Sequence, residues 1–249
     1  MNTTHHQAIQ TYLRENNYQK FSLKAVLFDM DGVLYDSMPD HASSWVKVMK
    51  RNGLSMTIED VYLNEGRIGT DTIDLIAKRE GFTYDLETRK RIYQEKTDVF
   101  MSCSPTSVMP GSLELLQKIT SSGLLAMLVT GSGQPTLINR ITDDFPHIFT
   151  RENMVTAFDV KHGKPHLESY LKAIRKRGLQ PDEAIVIENA PLGIESARAA
   201  GLFVIAVNTG ILPDALLPDA GAHLLFPSIH TLCNEWEQLY DCLKMISIH

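Results

Sequence analysis

In the stretch "AVLFDMDGVLYDS", Asp29 and Asp31 stand one residue apart where an apolar run stops, and Gly32 follows at once. Two carboxylates held that close repel each other, so their company at a strand end calls for positive charge nearby. Groups of complementary kinds close other apolar runs. Thr130, Gly131 and Ser132 follow "LLAMLV", Lys164 lies in "KHGKP" after "MVTAFD", and Glu188 and Asn189 close "AIVIEN". Carboxylate oxygens at a strand edge suit Mg²⁺, a hard cation that takes few protein oxygens and keeps several waters. A hydroxyl, glycine-rich backbone N–H groups and a lysine suit the oxygens of a phosphoryl group. A carboxylate in the same ring can attack phosphorus and form an aspartyl phosphate. Mg²⁺ and Lys164 then offset the repulsion between an anionic nucleophile and an anionic ester.

Taken singly, each residue has a plainer reading. Asp31-Gly32 is turn chemistry, Lys164 could be a solvated lysine, and Thr130, Glu188 and Asn189 could cap helices. The elements that carry them favour convergence. Short apolar runs ("KAVLFD", "LLAMLVTG", "MVTAFD", "AIVIEN", "LFVIAVN" and "HLLF") alternate with amphipathic stretches. "GSLELLQKITSSG" presents Leu113, Leu116 and Ile119 at helical spacing, and "HLESYLKAIRKRG" and "PLGIESARAAG" also read as helices ending at glycine. Continuously apolar strands alternating with helices predict an α/β fold, a doubly wound Rossmann-like parallel sheet covered on both faces. Parallel strands end on one edge, so groups far apart in sequence can meet there.

One interval breaks the rhythm. From residue 37 to 107 every segment reads as helix, in "DHASSWVKVMKRNG", "TIEDVYLNEG", "TDTIDLIAKREG" and "LETRKRIYQEKTDVFM". This predicts an α-helical cap inserted at 37–107 into a core made of 22–36 and 108–249. Residues 1–21 precede the core as a polar helical arm, able to pack on it or to mediate association. An insert rooted after the first strand overhangs the sheet edge where open α/β folds bind ligands.

Composition narrows the setting. The 249 residues carry a formal charge of −6 and are 43% hydrophobic, which excludes a basic surface for nucleic acid or anionic membrane. The cluster from Lys172 to Arg177 reads as a solvated helix face. Cys103, Cys233 and Cys242 lie far apart without a CxxC pair, as expected of free thiols in a reducing cytoplasm. The N-terminus lacks the apolar stretch of a signal peptide, and no run approaches the roughly 20 residues that span a bilayer. A soluble, cytoplasmic protein is expected, monomeric or weakly homo-oligomeric, with His5 and His6 incidental on a frayed terminus.

"DMDGVLYDS", "VTGSG", "HGKP" and "VIENAPLGIESARAAG" resemble motifs one to four of the haloacid dehalogenase superfamily. The likeness is nearer to its β-phosphoglucomutase and small-phosphatase group with an α-helical cap, and runs from about Lys24 to Asn208. It implies that Asp29 is the nucleophile. Asp31 would protonate the leaving oxygen and then activate water, while its backbone carbonyl ligates Mg²⁺. Thr130 and Lys164, with the Gly131–Ser132 turn, would hold the phosphoryl group, and Glu188 and Asn189 would complete the metal site. Asn189 departs from the usual aspartate and removes one negative charge, which predicts weaker metal binding or a shift of the main ligand role to Glu188. Leu167 and Glu168 depart from the usual proline and aspartate after Lys164. By its spacing from Asp29, His41 resembles a hinge histidine that restrains Asp31, and Arg67 in "EGRIGTD" is a candidate substrate contact.

The expected function is a Mg²⁺-dependent phosphatase acting on a small phosphorylated metabolite such as a sugar phosphate. A β-phosphoglucomutase is the alternative, but it needs a second cationic clamp where Gly69 stands. Remoter are a phosphorylatable receiver, whose length and acidic pair fit poorly, and a binding protein weakened by Asn189.

Overall fold

Strand β1 (Ala25–Phe28) is buried on both sides: Val26 and Phe28 enter one apolar core, Ala25 and Leu27 the other. A strand without a polar face fits only the middle of a covered sheet. In the computed structural model, which describes residues 3–103, 105–133 and 135–246, it lies there. The helix α1 (Thr3–Glu15) precedes β1, and α2 (Met38–Arg51), α3 (Ile58–Leu63), α4 (Gly69–Arg79) and α5 (Leu86–Met101) follow it. Next come α6 (Ser112–Ser121), β2 (Leu125–Val129), α7 (Pro135–Asp144), β3 (Met154–Val155) and α8 (Glu168–Lys176). The chain finishes with β4 (Ala184–Glu188), α9 (Pro191–Ala199), β5 (Phe203–Val207), α10 (Leu216–Asp219), β6 (Leu224–Phe226) and α11 (Ile229–Met245).

The six strands form one sheet in the order β3-β2-β1-β4-β5-β6, and every neighbouring pair is parallel. Connections run outward from β1 to one side and from β4 to the other, so the order reverses between β1 and β4. That crevice, at the carboxyl ends of the strands, is where such sheets take their ligands. Helices α1, α6 and α11 cover one face, and α8, α9 and α10 the other. Among the described residues, no helix is long and apolar enough to cross a membrane.

Helices α2 to α5 bury a third core of their own, with Trp45, Val48, Met49, Ile73, Ile76 and Ile92 at its centre and Leu212 from the sheet side against it. The chain leaves and returns along adjacent paths: Asp36 N donates to Ser107 O at 3.0 Å, and Met109 N to Leu34 O at 2.9 Å.

Three details differ from expectation. The run "MVTAFD" yields only two strand residues, because Asp159 accepts the Thr156 N–H at 2.8 Å and turns the chain into a 3-10 helix over Ala157–Asp159. In α6 the core takes Leu115, Leu116 and Ile119, while Leu113 is 39% exposed. The N-terminal arm is apolar on one side, burying Ile9, Tyr12 and Leu13 in the sheet core. His5 is buried with it and lies 3.5 Å from Glu235, so it is not on a frayed end.

Candidate active site

The sheet edge brings the four strand-end groups together. Asp29 directly follows β1, Thr130 follows β2, Lys164 lies in the loop after β3, and Glu188 ends β4. The Lys164 Nζ donates to Asp29 Oδ1 at 2.5 Å and also bonds Glu188 Oε1, and all three side chains are buried. Burial alone would lower the Lys164 pKa, but the two carboxylates outweigh it and hold the ammonium well above its usual range. Asp29 is pushed up to about 7, chiefly by burial, with Lys164 pulling the other way and Glu188 and Asp31 adding to the rise.

Glu188 is fully engaged by the protein. Its Oε1 also accepts from Tyr170 at 3.0 Å, and its Oε2 accepts the backbone N–H of Asn189 at 2.9 Å and of Ala190 at 3.1 Å. Asn189 sits differently. Its Nδ2 donates to Glu65 Oε2 at 3.1 Å, while Asn189 Oδ1 and Glu65 Oε1 are both enclosed without a hydrogen-bond partner. Burial, Asp29, Glu188 and Asp31 together raise the Glu65 pKa well above the carboxylate range. Two buried oxygens without a protein partner, beside the acids that act on Glu65, are groups that a bound cation would satisfy. The donor set is all oxygen and therefore fits Mg²⁺.

Asp31 belongs to a second line of contacts. Its Oδ1 accepts from Ser37 Oγ at 2.6 Å and from His41 Nε2 at 3.2 Å, and His41 Nδ1 lies 2.6 Å from Lys96 Nζ. Donation from Lys96 to Nδ1 fixes the tautomer that carries its proton on Nε2, facing Asp31. Burial would raise the Asp31 carboxyl, yet His41, Ser37 and Lys96 overcome it and hold it below its usual value. Lys96 itself is 2% exposed and pushed down to about 7 by burial. Burial and then Lys96 lower the His41 pKa, against the pull of Asp31, and the ring stacks on Phe100 at 4.1 Å between centroids.

The helical insert closes over this edge. Gly66 O accepts the Lys164 N–H at 3.2 Å, and a Cβ on Gly66 would lie 2.6 Å from Lys164 Cδ. Its φ of +85° further restricts the position to glycine. Gly32 does the same below, with φ +80° and Asn189 Nδ2 only 2.2 Å from where a Cβ would stand. Between insert and sheet lies a cavity of about 70 Å³, walled by Asp29, Asp31, Glu65, Lys96, Thr130 and Tyr93 among others. Gly131, Ser132, His41 and Arg67 also line it. Thr130 Oγ1 accepts the Ser132 N–H at 2.9 Å, which shapes that turn, and Arg67 Nε donates to Asn64 Oδ1 at 3.2 Å.

All ten residues singled out in the sequence therefore gather around one crevice. Sequence reading missed Ser37, Glu65, Tyr93, Lys96 and Tyr170. Lys96 left a signal: Ile92, Lys96 and Phe100 follow one another at i, i+4 spacing, which places a lysine on the buried stripe of α5. Glu65 left none beyond its place beside Gly66.

Residues 23–201 match the haloacid dehalogenase-like hydrolases. Hexitol phosphatase A of Escherichia coli is 31% identical over 185 residues, 74% of this chain and 83% of its own. A fructose-1-phosphate phosphatase of the same organism is 29% identical over 197 residues, 76% of this chain and 98% of its own. A Bacteroides vulgatus structure, provisionally assigned as a β-phosphoglucomutase, superposes with a TM-score of 0.95 at 51% identity, covering 98% of this chain and all of that one.

Proposed function

Because the chain belongs to the haloacid dehalogenase-like hydrolases, we propose that it is a Mg²⁺-dependent phosphatase of small phosphorylated metabolites that works through an aspartyl phosphate on Asp29. The observation that carries this reading is the buried pairing of Asp29 with Lys164 at 2.5 Å beside two orphaned oxygens, Asn189 Oδ1 and Glu65 Oε1. Asp29, the Asp31 carbonyl, Asn189 and Glu65 would hold Mg²⁺. Glu188 would position Lys164, since both its oxygens are already occupied. The ion, when bound, supplies charge that offsets the approach of phosphate to carboxylate.

An Asp29 carboxylate oxygen attacks phosphorus, and the bond to the leaving oxygen breaks. Thr130, Ser132 and Lys164 orient the phosphoryl oxygens. The leaving oxygen takes a proton from Asp31, which can be supplied along Lys96 Nζ, His41 Nδ1/Nε2 and Asp31 Oδ1. Asp31 then accepts a proton from the water that hydrolyses the acyl phosphate, returning Asp29 and releasing phosphate.

Hexitol and fructose phosphates are the substrates in the relatives' names, and sugar phosphates of that kind are the class this reading favours. For a mutase, the insert would need a second cationic clamp. The position of Gly69 cannot provide it, because a Cβ there would stand 2.1 Å from the Tyr93 ring.

A panel running from inorganic pyrophosphate and glycerol phosphates to hexose phosphates, assayed with and without Mg²⁺, tests the reading. Free phosphate should appear only with Mg²⁺, with sugar phosphates among the substrates that release it. Conversion of β-glucose 1-phosphate to glucose 6-phosphate without phosphate release would contradict it.

A further inference from the structure

Among the described residues, one cluster of metal-ligating type lies outside the crevice. His162, His166 and Glu168 offer ligand atoms that all stand within 4.8 Å of one another. They flank Lys164 in "HGKPHLE", and the reaction above uses none of them. Glu168 is the fixed member. Its carboxylate accepts the backbone N–H groups of Lys161 at 3.1 Å and His162 at 3.0 Å, and the His162 ring Nδ1 lies 3.0 Å away. The Lys161 N–H bond is the main reason its carboxyl is held down to about 2, so it is ionised at every working pH. The two imidazoles are exposed, with ring centroids 4.7 Å apart and planes tilted by 38°. His166 is tied to the same helix start, its Nδ1 accepting the Glu168 N–H at 3.2 Å.

Two imidazoles and one carboxylate are the donors of a borderline transition-metal site, and a poor set for Mg²⁺, which prefers oxygen. Zn–N bonds of ~2.0–2.1 Å in a tetrahedron put ligand atoms roughly 3.4 Å apart. Exposed histidine rings can rotate to close the difference from 4.8 Å without disturbing a core. The site also stands where it would matter. His162 and His166 line a cavity of about 380 Å³ together with Arg67 and Asp71 of the insert and with Lys164.

We propose that His162, His166 and Glu168 bind one Zn²⁺-class ion, separate from the Asp29 site, and that this ion clamps the loop carrying Lys164 at the seam with the insert. The clamp adds three metal–ligand bonds across a turn in which Glu168 already accepts the Lys161 and His162 N–H groups.

The test uses the full chain saturated with Mg²⁺ and titrated with Co²⁺, whose visible absorption reports nitrogen ligation, and then with Zn²⁺ during thermal unfolding. Wild type and Asp29→Asn should each bind one Co²⁺. The double variant His162→Ala/His166→Ala should bind at least ~10-fold more weakly, and the Zn²⁺-dependent rise in melting temperature should vanish with it. Should that variant not fold, His162→Gln/His166→Gln keeps polar groups at the same exposed positions and should show the same loss. No Co²⁺ signal in Mg²⁺-saturated wild type, equal binding by the double variant, or loss of binding in Asp29→Asn would each overturn the proposal. Because no arm reads turnover, its failure is distinct from a failure of the phosphatase reading.

Discussion

Asp31 is held by a hydroxyl and an imidazole whose far side rests on a buried lysine, and the chemistry of the site follows from that chain. An ionised carboxylate is ready as a base but needs a proton before it can act as an acid. Lys96, with its pKa pushed down to about 7, can part with one near neutrality. As pH rises through about 7 Lys96 loses its proton, so kcat is expected to fall on that limb. Lys96→Met should remove the limb and lower kcat by about 10²-fold or more with little change in KM; an unchanged pH profile would count against the relay. A second residue-scale prediction concerns charge. Asn189 contributes no negative charge, and Glu65 reaches in from the insert to its amide at 3.1 Å. Glu65→Ala should therefore weaken Mg²⁺ binding by about 10–100-fold by calorimetry. In an Asn189→Asp background the same change should cost less, because the new carboxylate restores the charge. Equal losses in both backgrounds would refute the coupling.

At the level of elements, α1 shows what patterning alone leaves open. It reads as polar by composition, yet Ile9, Tyr12 and Leu13 share one side at helical spacing and seal the sheet core. Tyr12 OH donates to Gly201 O at 2.8 Å, and its ring meets His223 edge-on at 5.1 Å. Tyr12→Phe should cost about 1 kcal/mol of stability in denaturant melts, the worth of one hydrogen bond. Burial, with Arg198 alongside, pushes the His223 pKa down to about 3. The unfolded chain takes up that proton near 6.5 and the folded one does not. Stability should be intact above about pH 6.5 and decline as pH falls toward 3. In His223→Gln that part of the slope should disappear; an identical acid profile would show that the imidazole carries none of it. The strands and their polar ends were legible in the sequence because burial on both faces leaves no polar alternation. The brevity of β3 was not, since it depends on Asp159 closing back on Thr156. Nor was Glu65, whose role arises only when two segments 124 residues apart touch.

For the whole molecule, the insert and the sheet edge make one site only when they are closed on each other. The contact is backbone against side chain at Gly66, where Lys164 packs into space that a Cβ would fill. Gly66→Ala should hold the insert off the edge. KM should rise and Mg²⁺ affinity fall, because Glu65 no longer reaches Asn189, while each part stays folded by circular dichroism. Unaltered kinetics would mean that closure at Gly66 is not required. The central claim remains that Asp29 is the atom donor to phosphorus. Acid-quenching the enzyme during turnover with Mg²⁺ and a labelled phosphate ester, followed by peptide mass spectrometry, tests it directly. One phosphoryl group should be found on Asp29 in wild type and none in Asp29→Asn. Phosphate release without any label on Asp29, or label on another residue, would contradict the account.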